Sequence, residues 1–347
     1  MTMTRRISKQ DLDALVLNLI GSGRRVIAPV RRTVQGRDFL EYGPVENPED
    51  IVLDGMLPVR PLKEFLFPPT EPLFRWRQDQ SRIDIEEVPT QFAETVVVGA
   101  HPCDAAAMEI VDRVMDWDYR DELWFGRRQA TTVLTVACTQ CDASCFCTAV
   151  GLSPRSARGA DWLMLPSGSG FEVHVMTSKG EALLEDHKSL LPEVEAESGE
   201  LPSADVENRV RENLELQPEK IRHWLETHFD DPLWRRIALI CHGCGACAFV
   251  CPTCHCFDIV DEPGNAGQGS RRRNWDACQP ALFTLHGSGH NPRKDQTARY
   301  RQRIMHKFQI YPERFGEILC TGCGRCIRAC PAGMDLAAIL NEINQVA

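Results

Sequence analysis

Hydrophobic and polar positions change period several times along the chain. The apolar stretch 12–20 is interrupted by Asp13 and Asn18, so residues 8–20 predict one amphipathic helix, with Ser8 and Asp11 spaced as a loose capping box. Residues 25–30 and 38–42 read as strands flanking a turn at Gly36. Pro58, Pro61, Pro68, Pro69 and Pro72 then oppose helix and predict extended chain laid over a core. A short apolar run at 95–99 has the character of a buried strand and ends at His101-Pro-Cys-Asp104. Residues 105–115 are helical in pattern, and 131–137 form a second β-rich run ending at Cys138. Strand, helix and strand in this order predict a crossover between parallel strands. Cys103 and Cys138 then stand just past the C-terminal ends of neighbouring strands, the edge of an α/β sheet where ligands usually bind.

Further along, 161–166 and 171–177 alternate around Ser167-Gly-Ser-Gly170 and predict a hairpin. Residues 179–234 read as helical and polar, with Val206, Val210 and Leu214 on one face. A boundary near residue 235 divides an α/β domain, 1–235, from a C-terminal module, 236–347, in which 277–285 and 297–309 read as helices. The fold class expected is α+β: an N-terminal α/β domain with a cysteine-rich loop, then an α-helical ferredoxin-like module.

Composition narrows the chemistry. The chain has 347 residues, 43% hydrophobic and 25% charged, ordinary values for a globular protein of about two domains. Its net charge of −10 argues against nucleic acid or an anionic membrane as the main partner. Residues 1–10 carry two arginines without a following signal-type apolar run, and no stretch approaches a membrane span of about 18 apolar residues. A cytoplasmic location is therefore expected. Sixteen cysteines is then a heavy load, because clustered thiols in a reducing compartment are more often metal ligands than disulfides. They fall in three bunches, at 103–147, 241–278 and 320–330.

Two of the bunches hold a repeated motif. Cys241-His-Gly-Cys244-Gly-Ala-Cys247-Ala-Phe-Val-Cys251-Pro252 and Cys320-Thr-Gly-Cys323-Gly-Arg-Cys326-Ile-Arg-Ala-Cys330-Pro331 both match the spacing that ligates [4Fe–4S] clusters. Three thiolates two residues apart can wrap three corners of a cubane in one tight turn. The glycines between them let the backbone approach the cluster. In two-cluster ferredoxins the fourth cysteine serves the other cluster. Cys241, Cys244, Cys247 and Cys330 are therefore assigned to one cluster, and Cys320, Cys323, Cys326 and Cys251 to the other. Zinc motifs pair cysteines differently and fit this spacing poorly. The motifs lie about seventy residues apart, farther than in a small βαβ ferredoxin, which favours a helical dicluster module.

The N-terminal bunch is less regular. Of its five thiols, Cys103, Cys138, Cys145 and Cys147 are chosen as ligands of a third cluster, with Cys141 spare; a zinc site or packed thiols are the alternatives. Cys254, Cys256 and Cys278 read as packing beside the clusters, with a further site as the alternative. Basic patches at Arg271–Arg273 and at Arg299, Arg301, Arg303 and Lys307 are either solvated faces or cations acting on the clusters or on an acidic partner. Gly21-Ser-Gly23 lacks the strand and third glycine of a dinucleotide fingerprint, no P-loop is present, and the glycines between His286 and His290 make a metal pair there doubtful.

His101-Pro-Cys-Asp104, Cys145-Phe-Cys147, Cys251-Pro-Thr-Cys254-His-Cys256, Trp275-Asp-Ala-Cys278, Gly289-His-Asn-Pro-Arg293, His306-Lys-Phe308 and Cys320-Thr-Gly-Cys-Gly-Arg-Cys326 occur in this order. The set resembles the iron–sulfur β subunit of soluble sulfhydrogenase-type [NiFe]-hydrogenases, and equally the iron–sulfur subunit of anaerobic sulfite reductases. That resemblance extends over most of the chain, the stretch 61–69 included. It implies a helical ferredoxin module, a partner carrying flavin and NAD(P), and further subunits bearing the terminal active site. An electron-relay subunit without catalytic side chains is the expectation. Its rivals are a self-sufficient enzyme with an open iron in the N-terminal bunch, and a redox sensor or zinc scaffold.

Overall fold

The computed structural model describes residues 3–88, 91–195, 214–265 and 267–347. Ten of its strands lie in the N-terminal part: β1 Met3–Ser8, β2 Arg25–Val34, β3 Arg37–Pro44, β4 Thr70–Asp79, β5 Arg82–Glu87, β6 Thr95–Ala100, β7 Thr131–Val136, β8 Trp162–Ser167, β9 Gly170–Val175 and β10 Glu193–Glu195. Two more follow, β11 Phe257–Pro263 and β12 Gln268–Trp275. Eight strands form one mixed sheet in the order β10-β1-β9-β8-β7-β6-β2-β3. Its centre, β2, β6, β7 and β8, is parallel, and its margins are antiparallel. Both faces of the centre are covered, so β6 is buried throughout, as its unbroken apolar run requires.

The first helix, α1 Lys9–Gly21, is capped by Ser8, whose hydroxyl accepts from the Asp11 N–H at 3.1 Å. Leu12, Leu15, Val16 and Leu19 bury its inner face against the sheet. The turn between β2 and β3 places Gln35 and Gly36 at φ 52° and 74°, the mirror-image turn that joins twisted strands tightly. After β6 the chain runs through α2 Pro102–Met115 and α3 Glu122–Ala130 into β7, and β6 and β7 pair in parallel as the crossover pattern predicts. The β8–β9 hairpin forms as expected.

A second core gathers the C-terminal helices Pro218–Thr227, Pro232–Ala238, Gln296–Met305 and Leu336–Val346, with Trp224, Trp234, Ile304 and Leu340 at its centre. Between Met305 and Tyr311 the helix widens into a π-helical stretch, His306–Ile310, which turns Lys307 and Phe308 inward. A small antiparallel sheet, β11-β12-β4-β5, joins the two halves of the chain by pairing β12 with β4. The proline-rich stretch thus leads through a single 3-10 turn, Leu62–Phe65, into a strand whose partner lies about 200 residues away.

Two helical expectations fail. Residues 277–285 are turns, because Pro280 offers no N–H and Gln279 is drawn inward, its amide donating to the Arg299 carbonyl at 3.2 Å. The 179–234 stretch is a helix, Ser178–Asp186, then the edge strand β10, and only later the two helices that begin at Pro218 and Pro232. Val206 and Val210 lie outside the described residues, whereas Leu214 packs on the second core. The helix predicted at 297–309 is present as Gln296–Met305 and its π-helical continuation.

Candidate functional site

The two repeated motifs adopt the same local conformation. Gly243, Gly245, Gly322 and Gly324 all have positive φ, between 63° and 78°, and each second glycine opens a single helical turn, Ala246–Phe249 or Arg325–Arg328. A side chain could not replace hydrogen at Gly322 or Gly324. A Cβ at Gly322 would stand 2.5 Å from the Phe146 carbonyl oxygen, and one at Gly324 would stand 2.3 Å from that of Ser144. The second motif is therefore pressed against the N-terminal cysteine loop, and Phe146 N–H donates to the Gly322 carbonyl at 2.8 Å.

Cys241, Cys244, Cys247, Cys326 and Cys330 line one hollow with Tyr300, Arg303 and Met334. Cys330 is near enough to Cys241 to act on its charge, although 89 positions separate them. Cys251 acts likewise on Cys320, Cys323 and Cys326. A second hollow is lined by all five N-terminal cysteines, Cys103, Cys138, Cys141, Cys145 and Cys147, together with His101 and Cys323. Cys141, the spare thiol of the sequence reading, thus stands in the same wall as the four chosen residues. Among the described residues, no group of three or more His, Cys, Asp or Glu side chains converges on a single-ion site. The thiols instead surround spaces, the arrangement a polynuclear cluster requires.

The hollows are furnished with donors to sulfur. Gly322 N–H and Met334 N–H point at Cys320 and Cys330, both at 3.4 Å, and the Gln296 amide reaches Cys241 at 3.2 Å. His101 Nδ1 lies 3.5 Å from Cys138 Sγ. Burial lowers the His101 pKa to about 4, so its ring is neutral at neutral pH. Burial also pushes the thiols up, Cys320 to about 11 and Cys326 and Cys147 to about 12. Cys251 and Cys278 are exceptions: the neighbouring Cys254 thiol and the Lys307 ammonium hold Cys251 well below its ordinary value, and the neighbouring Cys256 thiol lowers Cys278 to about 5. Lys307 Nζ sits 3.4 Å from its sulfur. These donors and cations suit thiolates bearing the negative charge of iron–sulfur clusters.

The basic patches separate once packing is known. Arg271 is a surface partner of Asp261, and Arg301 covers the exposed Phe229 ring. Arg273 is buried between Glu71 and Asp121. Only Arg303 and Lys307 turn inward to the cysteines, on the inner face of one helix and its π-helical extension. Arg328 ties Asp142 of the cysteine loop to the second motif at 2.8 and 2.9 Å.

Sequence reasoning did not find the Tyr42–Asp104–Arg325 network. Arg325 donates to both Asp104 oxygens and to the Pro58 carbonyl, while the Tyr42 hydroxyl donates to Asp104 and accepts from His101 N–H. Its only trace in the sequence is that Asp104 and Arg325 stand within cysteine motifs.

Among the described residues no helix is long and apolar enough to cross a membrane. Residues 240–334, which contain both repeated motifs, match the family described as the 4Fe–4S dicluster domain. Over 322 residues, 92% of this chain and 92% of the relative, the sequence is 28% identical to sulfhydrogenase 2 subunit beta of Pyrococcus furiosus.

Proposed function

We propose that this chain is the iron–sulfur electron-relay subunit of a hydrogenase-type, multi-subunit oxidoreductase. The observation that carries the reading is the sharing of walls between thiol-lined spaces. Cys323 of the second motif borders the N-terminal hollow, and Cys326 of the same motif borders the hollow of the first. Three cages therefore adjoin one another with no intervening domain.

In this reading Cys241, Cys244, Cys247 and Cys330 hold one [4Fe–4S] cluster, and Cys251, Cys320, Cys323 and Cys326 the next. Cys103, Cys138, Cys145 and Cys147 hold a third. When bound, such clusters exchange single electrons at potentials set by charge, hydrogen bonds to sulfur and burial. The chain's own groups provide all three controls: backbone and glutamine N–H groups donate to sulfur, Lys307 and Arg303 place positive charge beside it, and burial keeps Cys103 and Cys251 from water. Residues 1–235 form the domain that supplies the third cage and 236–347 the dicluster module.

Bond-making chemistry falls to partner chains in the cytoplasm: a flavin- and NAD(P)-binding subunit on one side and a [NiFe] active-site subunit on the other. The name of the relative, a beta subunit of a sulfhydrogenase, supports this over a sulfite-reductase complex. Anaerobic affinity purification from the native host tests it. The expected result is a brown complex containing nickel and flavin; a siroheme subunit in their place would redirect the proposal to sulfite reduction.

A further inference from the structure

The three cages and Cys141 account for thirteen of the sixteen cysteines, and the remaining three, Cys254, Cys256 and Cys278, come together. Pro252 and Thr253 turn the chain after Cys251, and Cys254 and Cys256, each close enough to the other to act on its charge, lead into β11. Asp276 N–H then donates to the Cys256 carbonyl at 3.0 Å and brings the end of β12, with Cys278, alongside. Cys256 and Cys278 neighbour each other, as do Cys254 and Cys251.

Neutral cysteines packed as small hydrophobes would need no charge around them. This group has three buried cations. Lys63, Arg303 and Lys307 are only 4%, 3% and 2% exposed, and among the described residues none of them has a carboxylate partner within ion-pair distance. Arg303 Nη1 instead points at Cys254 Sγ, 3.8 Å away. Lys63 Nζ donates to the Cys254 carbonyl at 2.8 Å and lies 4.0 Å over the Trp275 ring. The Gln279 amide donates to Cys278 Sγ at 3.5 Å. Among the described residues the buried Trp275 Nε1–H has no acceptor. Burying three cations without compensating negative charge costs many kcal/mol, so sulfur must carry that charge. Lys307 serves Cys251 and the second cage. Arg303 borders the first cage as well as Cys254, so Lys63, on the Cys254 carbonyl, is the cation that the three cages leave unanswered.

We infer that Cys254, Cys256 and Cys278 hold a fourth iron–sulfur cluster, of the [4Fe–4S] type, with three thiolate ligands and one iron that has no cysteine. It lies beside the second cage through Cys251 and beside the first through Cys247, which neighbours Cys278. The inference rests on the proposed cluster-bearing function but is separable from it. An iron without a thiolate is labile: one-electron oxidation by ferricyanide expels it as Fe²⁺ and leaves a three-iron cluster.

The test uses the full chain, purified and reconstituted without air. About sixteen iron per chain is expected, against about twelve for three clusters. Ferricyanide should produce the electron paramagnetic resonance signal of a three-iron cluster, and added Fe²⁺ should abolish it. In the variant Cys254→Ser, Cys256→Ser, Cys278→Ser that signal should vanish and iron should fall by about a quarter. A wild-type chain with about twelve iron and no three-iron signal overturns the fourth site while leaving the relay intact, as does a signal that persists in the triple variant. A colourless, iron-free chain overturns both readings. Should the triple variant fail to fold, the wild-type iron content and ferricyanide response decide alone.

Discussion

Arg325 and Asp104 form a bidentate ion pair, at 2.8 and 2.7 Å, with both side chains withdrawn from solvent and 221 positions apart in the chain. Arg325 stands between Cys323 and Cys326, and Asp104 follows Cys103 in the first turn of α2. The pair therefore fixes the dicluster module against the edge of the large sheet and holds two thiol-bearing turns in register. Fork-to-carboxylate geometry and the Tyr42 hydroxyl satisfy the charges that burial would otherwise leave exposed to a low-dielectric surrounding.

Breaking this pair from one side should be costly. Asp104→Asn or Arg325→Met should each destabilise the cluster-loaded protein by about 3–5 kcal/mol, because each leaves one buried charge uncompensated. The double variant Asp104→Asn, Arg325→Met should lose less than the sum. Anaerobic thermal unfolding, followed by the bleaching of cluster absorbance, measures both. Additive losses would mean that the two residues act independently.

The proposed exchange of ligands between the motifs predicts a distinctive pattern. Cys330→Ser should remove the same cluster signal as Cys244→Ser, although Cys330 belongs to the other motif. Cys251→Ser should match Cys320→Ser. Comparing the reduced electron paramagnetic resonance spectra of the four variants reads this directly, and each should lose about four iron. Matching losses within one motif, Cys330→Ser with Cys320→Ser, would refute the crossed assignment.

Lys307 is the cation closest to the second cage, 3.4 Å from Cys251 Sγ. A unit charge about 7 Å from a cluster centre, at an effective dielectric of about 20, is worth about 2 kcal/mol. That corresponds to about 100 mV for a one-electron couple. Lys307→Met should therefore lower the potential of the cluster bound by Cys251, Cys320, Cys323 and Cys326, with the other potentials shifted less. Spectroelectrochemical titration of the variant checks the sign, and an unchanged or raised potential would contradict it.

Cluster assembly should depend on pH in one direction. Burial holds Cys320 near 11 and Cys147 and Cys326 near 12, so the metal-free thiols keep their protons at neutral pH. Iron binds the thiolate, and loading must displace those protons. Reconstitution should therefore go further at about pH 8.5 than at about pH 6.5, with proton release in unbuffered solution. Loading that is equal at the two pH values would show that the thiols are already ionised in the metal-free chain.

The cysteine spacing and the apolar run at 95–99 were legible because each is a local code. Thiols two residues apart, with glycines between, adopt one tight turn whatever surrounds them, and an unbroken apolar run needs cover on both faces. The parallel crossover followed from the same local patterns, whereas the place of Cys141 in one wall with Cys103, Cys138, Cys145 and Cys147 did not. Local pattern failed where the decisive partner was distant. β4 and β12 complete one sheet across some 200 residues, and neither has an alternation that announces the other. Residues 277–285 looked helical despite the local break at Pro280, and the inward pull on Gln279 acts only once Gln296 and Arg299 are in place.

The sequence by itself determined that two turns of this chain space their thiols as the ligands of a cubane are spaced, since geometry within a turn is a property of a few consecutive dihedrals. Tertiary structure alone decided which cysteines of distant segments line a common hollow and which of many arginines and lysines face sulfur rather than water. It also decided that Asp104 rather than solvent answers Arg325. Those choices depend on burial, and burial is a property of the packed whole: a charge has no cost on an extended chain and acquires one only when the core excludes water around it.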